Sequence, residues 1–136
     1  MHRSHGVLVK RRQPRRTKVN NTSESHDQIR LCNWMDDNNI LYYAIYNEGK
    51  RSIGAAIKAV SMGLRSGVPD LCLPIARNGY HGMYLELKRS KGGRISPNQE
   101  IWIKALTAQG YYVVVAKGYS CALNEICKYM GINYVT

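Results

Sequence analysis

Apolar and polar residues alternate along Met83-Tyr84-Leu85-Glu86-Leu87-Lys88, the pattern of a half-buried strand. Successive strand side chains point to opposite faces, so Met83, Leu85 and Leu87 share a core side while Glu86 and Lys88 share the other. Those two lie about 6.7 Å apart along the strand, at roughly 3.3 Å per residue. Upstream, Ser23 is placed to cap a helix over about residues 24–38, with Glu24 and Asp27 in its first turn. Ile29, Leu31, Cys32, Trp34 and Met35 supply its apolar side. Residues 40–46 are β-branched and aromatic and predict a strand. Asn47-Glu48-Gly49-Lys50 reads as a turn, and Ser52 then caps a helix through about residue 64, with Ile53, Ile57, Val60 and Leu64 along one stripe.

Gly67 and Pro69 stop that helix and open a strand over residues 70–73, which Pro74 closes. Arg77-Asn78-Gly79 is a turn signal. A hairpin centred near Asn78 places Asp70 opposite Glu86, and a one-residue slip would turn Asp70 to the wrong face. Residues 90–94 form a basic, Gly-containing loop. Ser96 starts a helix with Pro97 at its first position, Trp102, Ile103 and Leu106 on its buried side and Gly110 at its end. A strand over 111–116 and a helix over about 120–130, stopped by Gly131, complete the order α-β-α-β-β-α-β-α. No internal repeat is visible. The expected fold is α/β, a central mixed sheet flanked by helices.

The 136 residues suit one domain, long enough to bury a core without disulfides. Lys and Arg number 20 against 9 Asp and Glu, a formal charge of +11, which favours a polyanionic partner: nucleic acid first, an anionic membrane surface second. No apolar run approaches the roughly 20 residues of a membrane span, and no amphipathic apolar stripe accompanies the basic segment, so membrane binding is disfavoured. The basic, polar start does not read as a signal peptide. Cys32, Cys72, Cys121 and Cys127 lack CxxC spacing and read as reduced, mostly buried thiols of a cytoplasmic protein. His2, His5, His26 and His81 are not spaced with them as zinc ligands. Residues 1–22 are purely basic in charge, from Arg3 to Lys18. They read as a flexible arm, either touching phosphates or simply solubilising, ahead of a domain at 23–136.

Asp70, Glu86 and Lys88 together suggest chemistry. Two carboxylates and an ammonium on one rigid face can hold a divalent metal beside an attacking water, which suits phosphodiester hydrolysis. The bland alternative is a solvated ion cluster. Gln99 likewise has a structural explanation, a capping box with Ser96, and Glu24 can be a first-turn residue favoured by the helix dipole. Lys50, Arg51, Lys58, Arg65, Arg89, Lys91, Arg94 and Lys104 are candidate phosphate contacts, with the excess near 89–94 marking a substrate path. Most tyrosines read as strand and core residues, while Tyr80 and His81 are candidates for stacking on bases.

Gly67-Val68-Pro69-Asp70, Glu86-Leu87-Lys88 and Ser96-Pro97-Asn98-Gln99, in that order and spacing, resemble the VRR-Nuc domain of the PD-(D/E)XK nuclease superfamily. Glu24 and Gln28 match an acidic residue and a glutamine on that family's first helix, and Asn47-Glu48-Gly49-Lys50-Arg51 matches its Asn-containing turn. The resemblance covers about residues 23–130 and implies a restriction-endonuclease-like fold. It implies Mg²⁺ or Mn²⁺ held by Asp70, Glu86, the Leu87 carbonyl and Glu24, with Lys88 serving the nucleophilic water and Gln99 orienting it or Lys88. Asn47 and Gln28 become DNA-contact candidates. Minimal stand-alone members resemble dimeric phage nucleases active on four-way junctions, so the expected activity is a homodimeric, metal-dependent endonuclease resolving Holliday junctions. A monomeric flap or nicking nuclease and a non-catalytic basic DNA-binding module are the alternatives.

Overall fold

The computed structural model describes residues 23–46 and 51–133. In chain order they form α1 (Ser23–Asp37), β1 (Tyr43–Ala44), α2 (Ile53–Ser61), β2 (Leu71–Leu73), β3 (Met83–Lys88), α3 (Pro97–Ala108), β4 (Tyr112–Lys117) and α4 (Tyr119–Met130). The strands lie in the order β1-β2-β3-β4. The first two pairings are antiparallel and the third is parallel. Parallel neighbours need a crossover, and α3 supplies it. The element order and the mixed, helix-flanked sheet are those the apolar pattern predicts. No described helix is long and apolar enough to cross a membrane. The basic segment 1–22, Asn47 and Lys50 lie outside the described residues.

Strand alternation builds the core. Leu71, Leu73, Met83, Leu85 and Leu87 are buried together with Leu31 and Met35 of α1 and Leu123 and Ile126 of α4. These two helices pack on each other and on the sheet. The β2–β3 hairpin turns at Asn78-Gly79 and carries one extra residue on the β2 side before its strands pair, since Arg77 faces Tyr80 while Leu73 faces Met83. Asn78 and Gly79 both take positive φ, 54° and 82°, as a two-residue hairpin turn of primed type requires. Arg77 and Tyr80 exchange backbone hydrogen bonds across it. The register is Leu71↔Leu85, Cys72↔Tyr84 and Leu73↔Met83. Asp70, one step before β2, therefore faces Glu86 as expected.

Several expectations need correction. Ser23 opens α1 from within rather than preceding it, and Ile29, expected on the apolar side, is 41% exposed. The strand expected over 40–46 shrinks to Tyr43–Ala44. Ile40 is drawn into the core, where its N–H donates to the Met35 carbonyl and finishes α1, so it is unavailable to the sheet. Ser52 does cap α2, its Oγ accepting from the Ala55 N–H at 3.2 Å. However, the stripe on α2 is not buried: Ile53 is 83%, Ile57 62% and Val60 57% exposed, and no other described helix or strand packs against it. Amphipathic spacing identifies an apolar face and not its cover. In α3, Trp102, Ile103 and Leu106 are only half-buried. The final strand runs one residue further than predicted, to Lys117. All four cysteines are free, with Cys72 and Cys127 buried, Cys32 half-buried and Cys121 exposed.

Candidate active site

Glu86 is the one charged residue among those buried in the described structure, 3% exposed in a strand otherwise buried by leucines. A buried carboxylate demands partners, and the start of α3 provides one. The Ser96 Oγ accepts from the Gln99 N–H, while Gln99 Oε1 accepts from the Ser96 N–H at 2.9 Å, a complete capping box. The same Oε1 accepts from Lys88 Nζ at 2.9 Å, and Gln99 Nε2 donates to Glu86 Oε1 at 2.7 Å. Lys88 Nζ lies 3.6 Å from that carboxylate oxygen. Capping and site-building, which the sequence allows together, are here performed by one amide.

Asp70 approaches from the opposite side. Its Oδ2 accepts from the Leu87 N–H at 2.8 Å, and its carbonyl accepts from the Ile45 N–H at 2.8 Å. The preceding loop holds it there. Gly67 sits at φ +93°, and a Cβ on it would stand 2.5 Å from the Asn98 backbone carbon. Glycine thus serves both the turn and the contact with the first turn of α3. Glu24 reaches across from α1: its Oε1 accepts from the Arg89 N–H at 3.1 Å and lies 3.8 Å from Arg89 Nε.

The electrostatics follow from this gathering. Burial, then the negative charge of Asp70, pushes the Glu86 carboxyl up to about 8. Lys88 opposes the rise, and Glu24 adds to it. Three acids therefore share one field, and a cation placed among them would relieve it. The donors are hard oxygens, of the kind Mg²⁺ and Mn²⁺ take. Among the described residues, no group of three or more His, Cys, Asp or Glu side chains is placed to hold a metal ion. The carboxylate pair Asp70 and Glu86 suits a cation that takes one or two carboxylates and keeps several waters.

Asp70, Glu86, Lys88, Gln99 and Glu24 thus converge on one end of β3. Gln28, one helical turn beyond Glu24, borders a groove that Asp70 also lines. Arg89, Lys91 and Arg94 lie exposed along the loop leaving that end, and Arg51 is also exposed. Arg65 is turned back on α2, its Nη1 donating to the Val60 and Leu64 carbonyls. Lys104 pairs with Glu100 at 3.1 Å, and Lys58 stands exposed on α2. Tyr80 and His81 belong to the turn end of β3, a strand length of about 17 Å from Lys88. Their rings pack on Tyr112 and Tyr111, so they do not join the site. Lys117 is the residue the sequence reading missed. It pairs with Lys88 across the parallel ladder, on the same face and exposed. Extending the last strand by one residue would have revealed it.

A family model described as the VRR-NUC domain matches residues 10–120, reaching into the basic segment ahead of α1. A solved structure described as a VRR_NUC domain protein superposes with a TM-score of 0.65 at 29% identity. The match covers 85% of this chain and 93% of that one. Among curated proteins, none matches the chain significantly.

Proposed function

The chain belongs to the VRR-NUC domain family, which makes it a nuclease-type domain with DNA as substrate, and on that premise we propose a metal-dependent endodeoxyribonuclease that resolves four-way junctions as a homodimer. The observation that carries the catalytic part is the Lys88–Gln99–Glu86 linkage beside Asp70. Mg²⁺ or Mn²⁺, held by Asp70 and Glu86 with Glu24 and the Leu87 carbonyl in support, would supply Lewis-acid stabilisation of charge on the phosphate. Gln99 fixes the Lys88 ammonium, which then orients the attacking water and faces the developing negative charge. Lys117, Arg89, Lys91 and Arg94 line the exit from that end of the sheet and suit backbone phosphates, which favours shape readout over base readout.

The homodimer is supported by α2. Among the described residues, Ile53, Ile57 and Val60 of α2 and Met62 at its C-cap are large exposed hydrophobics. An apolar face concentrated this way marks an association surface. A second copy answers it with an identical patch about a two-fold axis, which pairs two active sites for symmetric cutting. The test is incubation with duplex, single-stranded, flap and four-way DNA in Mg²⁺, Mn²⁺ or EDTA. Paired nicks flanking the crossover are expected with either metal and none in EDTA. A flap-only product would replace the junction reading and keep the nuclease. Binding without metal-dependent cutting would favour a non-catalytic module.

A further inference from the structure

Beside the acidic cluster lies a groove of about 360 Å³, between α1 and the chain running through β1. Its size falls in the small-ligand range of roughly 300–1,000 Å³. Ile29, Tyr42 and Ile45 supply apolar and aromatic wall, Gln28 and Asn33 bring side-chain amides, and Asp70 borders both groove and cluster. The wall is held in place: the Tyr42 hydroxyl donates to Asp36 Oδ1 at 2.9 Å, and Ile45 is tied to Asp70 through the backbone.

Charge narrows the occupant. The described residues lining the groove include two aspartates, Asp36 and Asp70, and no Lys or Arg. Asp36, and Asp70 wherever no cation is bound to it, disfavour a phosphate there. A flat, neutral group with apolar faces and N–H donors on its edge is favoured, and nucleobases have that form. Unpaired bases stack on aromatic side chains and bond their edges to amides and carboxylates. We propose that this groove receives one unpaired nucleobase of the DNA, adjoining the scissile phosphodiester.

This inference rests on the nuclease reading and gives it a source of selectivity. Extracting a base from a duplex costs stacking and pairing, least where the base is already unpaired. Branch points and mismatched ends therefore load the groove, and continuous duplex does not. The site would distinguish DNA structures without a separate reading domain.

The test is anisotropy binding of the full chain to branched DNA in Ca²⁺, with an abasic residue moved one position at a time past the branch. One position should weaken binding about five-fold to a hundred-fold, the worth of one stacked base. In Ile29→Trp, whose exposed side chain fills the groove from the surface of α1, that dependence should vanish while far-ultraviolet circular dichroism stays unchanged. Asn33→Ala, also exposed, should weaken the same dependence without filling the groove. A flat abasic profile, or one unaltered in Ile29→Trp, overturns the proposal and leaves nuclease activity standing. A changed oligomeric mass in Ile29→Trp with an unaltered profile assigns the groove to protein instead. Failure to bind any DNA overturns the nuclease reading itself, and this inference with it.

Discussion

Glu86→Gln, studied without divalent ions, should remove the largest pH liability of the fold. Burial and the neighbouring Asp70 raise the Glu86 carboxyl from 4.5 to about 8. Between those values the folded chain keeps a proton that the unfolded chain has lost. Stability is therefore fully present below about pH 4.5 and is lost as pH rises through about 8. At about 1.4 kcal/mol per pH unit the ceiling is about 5 kcal/mol. Solvent around the half-buried Asp70 and Lys88 side chains screens this to about 2 kcal/mol. For a domain of this size that is about 8 °C in Tm. Glutamine retains an acceptor for Gln99 and does not titrate. The assay is thermal unfolding of both proteins in EDTA, from about pH 5 to about pH 9. The wild type should lose about 8 °C more than the variant across that range. Mg²⁺ or Mn²⁺ should then restore the wild type at the alkaline end and leave Glu86→Gln little changed. Parallel Tm profiles in EDTA would refute the reasoning, since the charge on Glu86 would then not be what the fold resists.

Lys88→Ala should bind junction DNA as the wild type does and lose about 10²–10⁴-fold in cleavage rate, measured under single turnover. Wild-type cutting by that variant would remove Lys88 from the mechanism. Gln99→Ala should lose about 1 kcal/mol with the capping box, and its cleavage rate at a temperature where it is fully folded should fall well beyond that loss. Gly67→Ala, forced against the Asn98 backbone at positive φ, should cost about 1–3 kcal/mol in denaturant unfolding and reduce cutting. Ile57→Glu, on the face of α2 that no described element covers, should halve the mass seen by light scattering and leave monomer stability within about 0.5 kcal/mol. Retention of the dimer would move the two-fold interface elsewhere.

Much of the site was legible because its parts obey local rules. Alternation in β3 put Glu86 and Lys88 on one face, and Asn78-Gly79 marked the hairpin, although the turn pairing of Arg77 with Tyr80 would by itself set Asp70 against Leu87, and an extra residue on the β2 side brings it to Glu86 instead. Ser96-Pro97-Asn98-Gln99 announced a capped helix, and the cap was found. What stayed hidden depends on long-range packing. The joint role of Gln99 needs the start of α3 laid over β3, which no local pattern encodes. Likewise, the spacing in α2 told of an apolar stripe, but whether a neighbour covers it is decided by the connections around it. The shortness of β1 has the same origin: Ile40 has strong strand propensity and is spent on closing α1 in the core.

One amide does the work of a splice between a helix end and the Lys88–Glu86 pair, and that coupling has a thermal consequence. Helix ends fray at temperatures where the middle of the domain is intact. Once the first turn of α3 loosens, Gln99 departs with it, and Lys88 and Glu86 lose the hinge pin that spaces them. Cutting should therefore fade on warming before any melting signal appears, so that the molecule disarms itself while still folded.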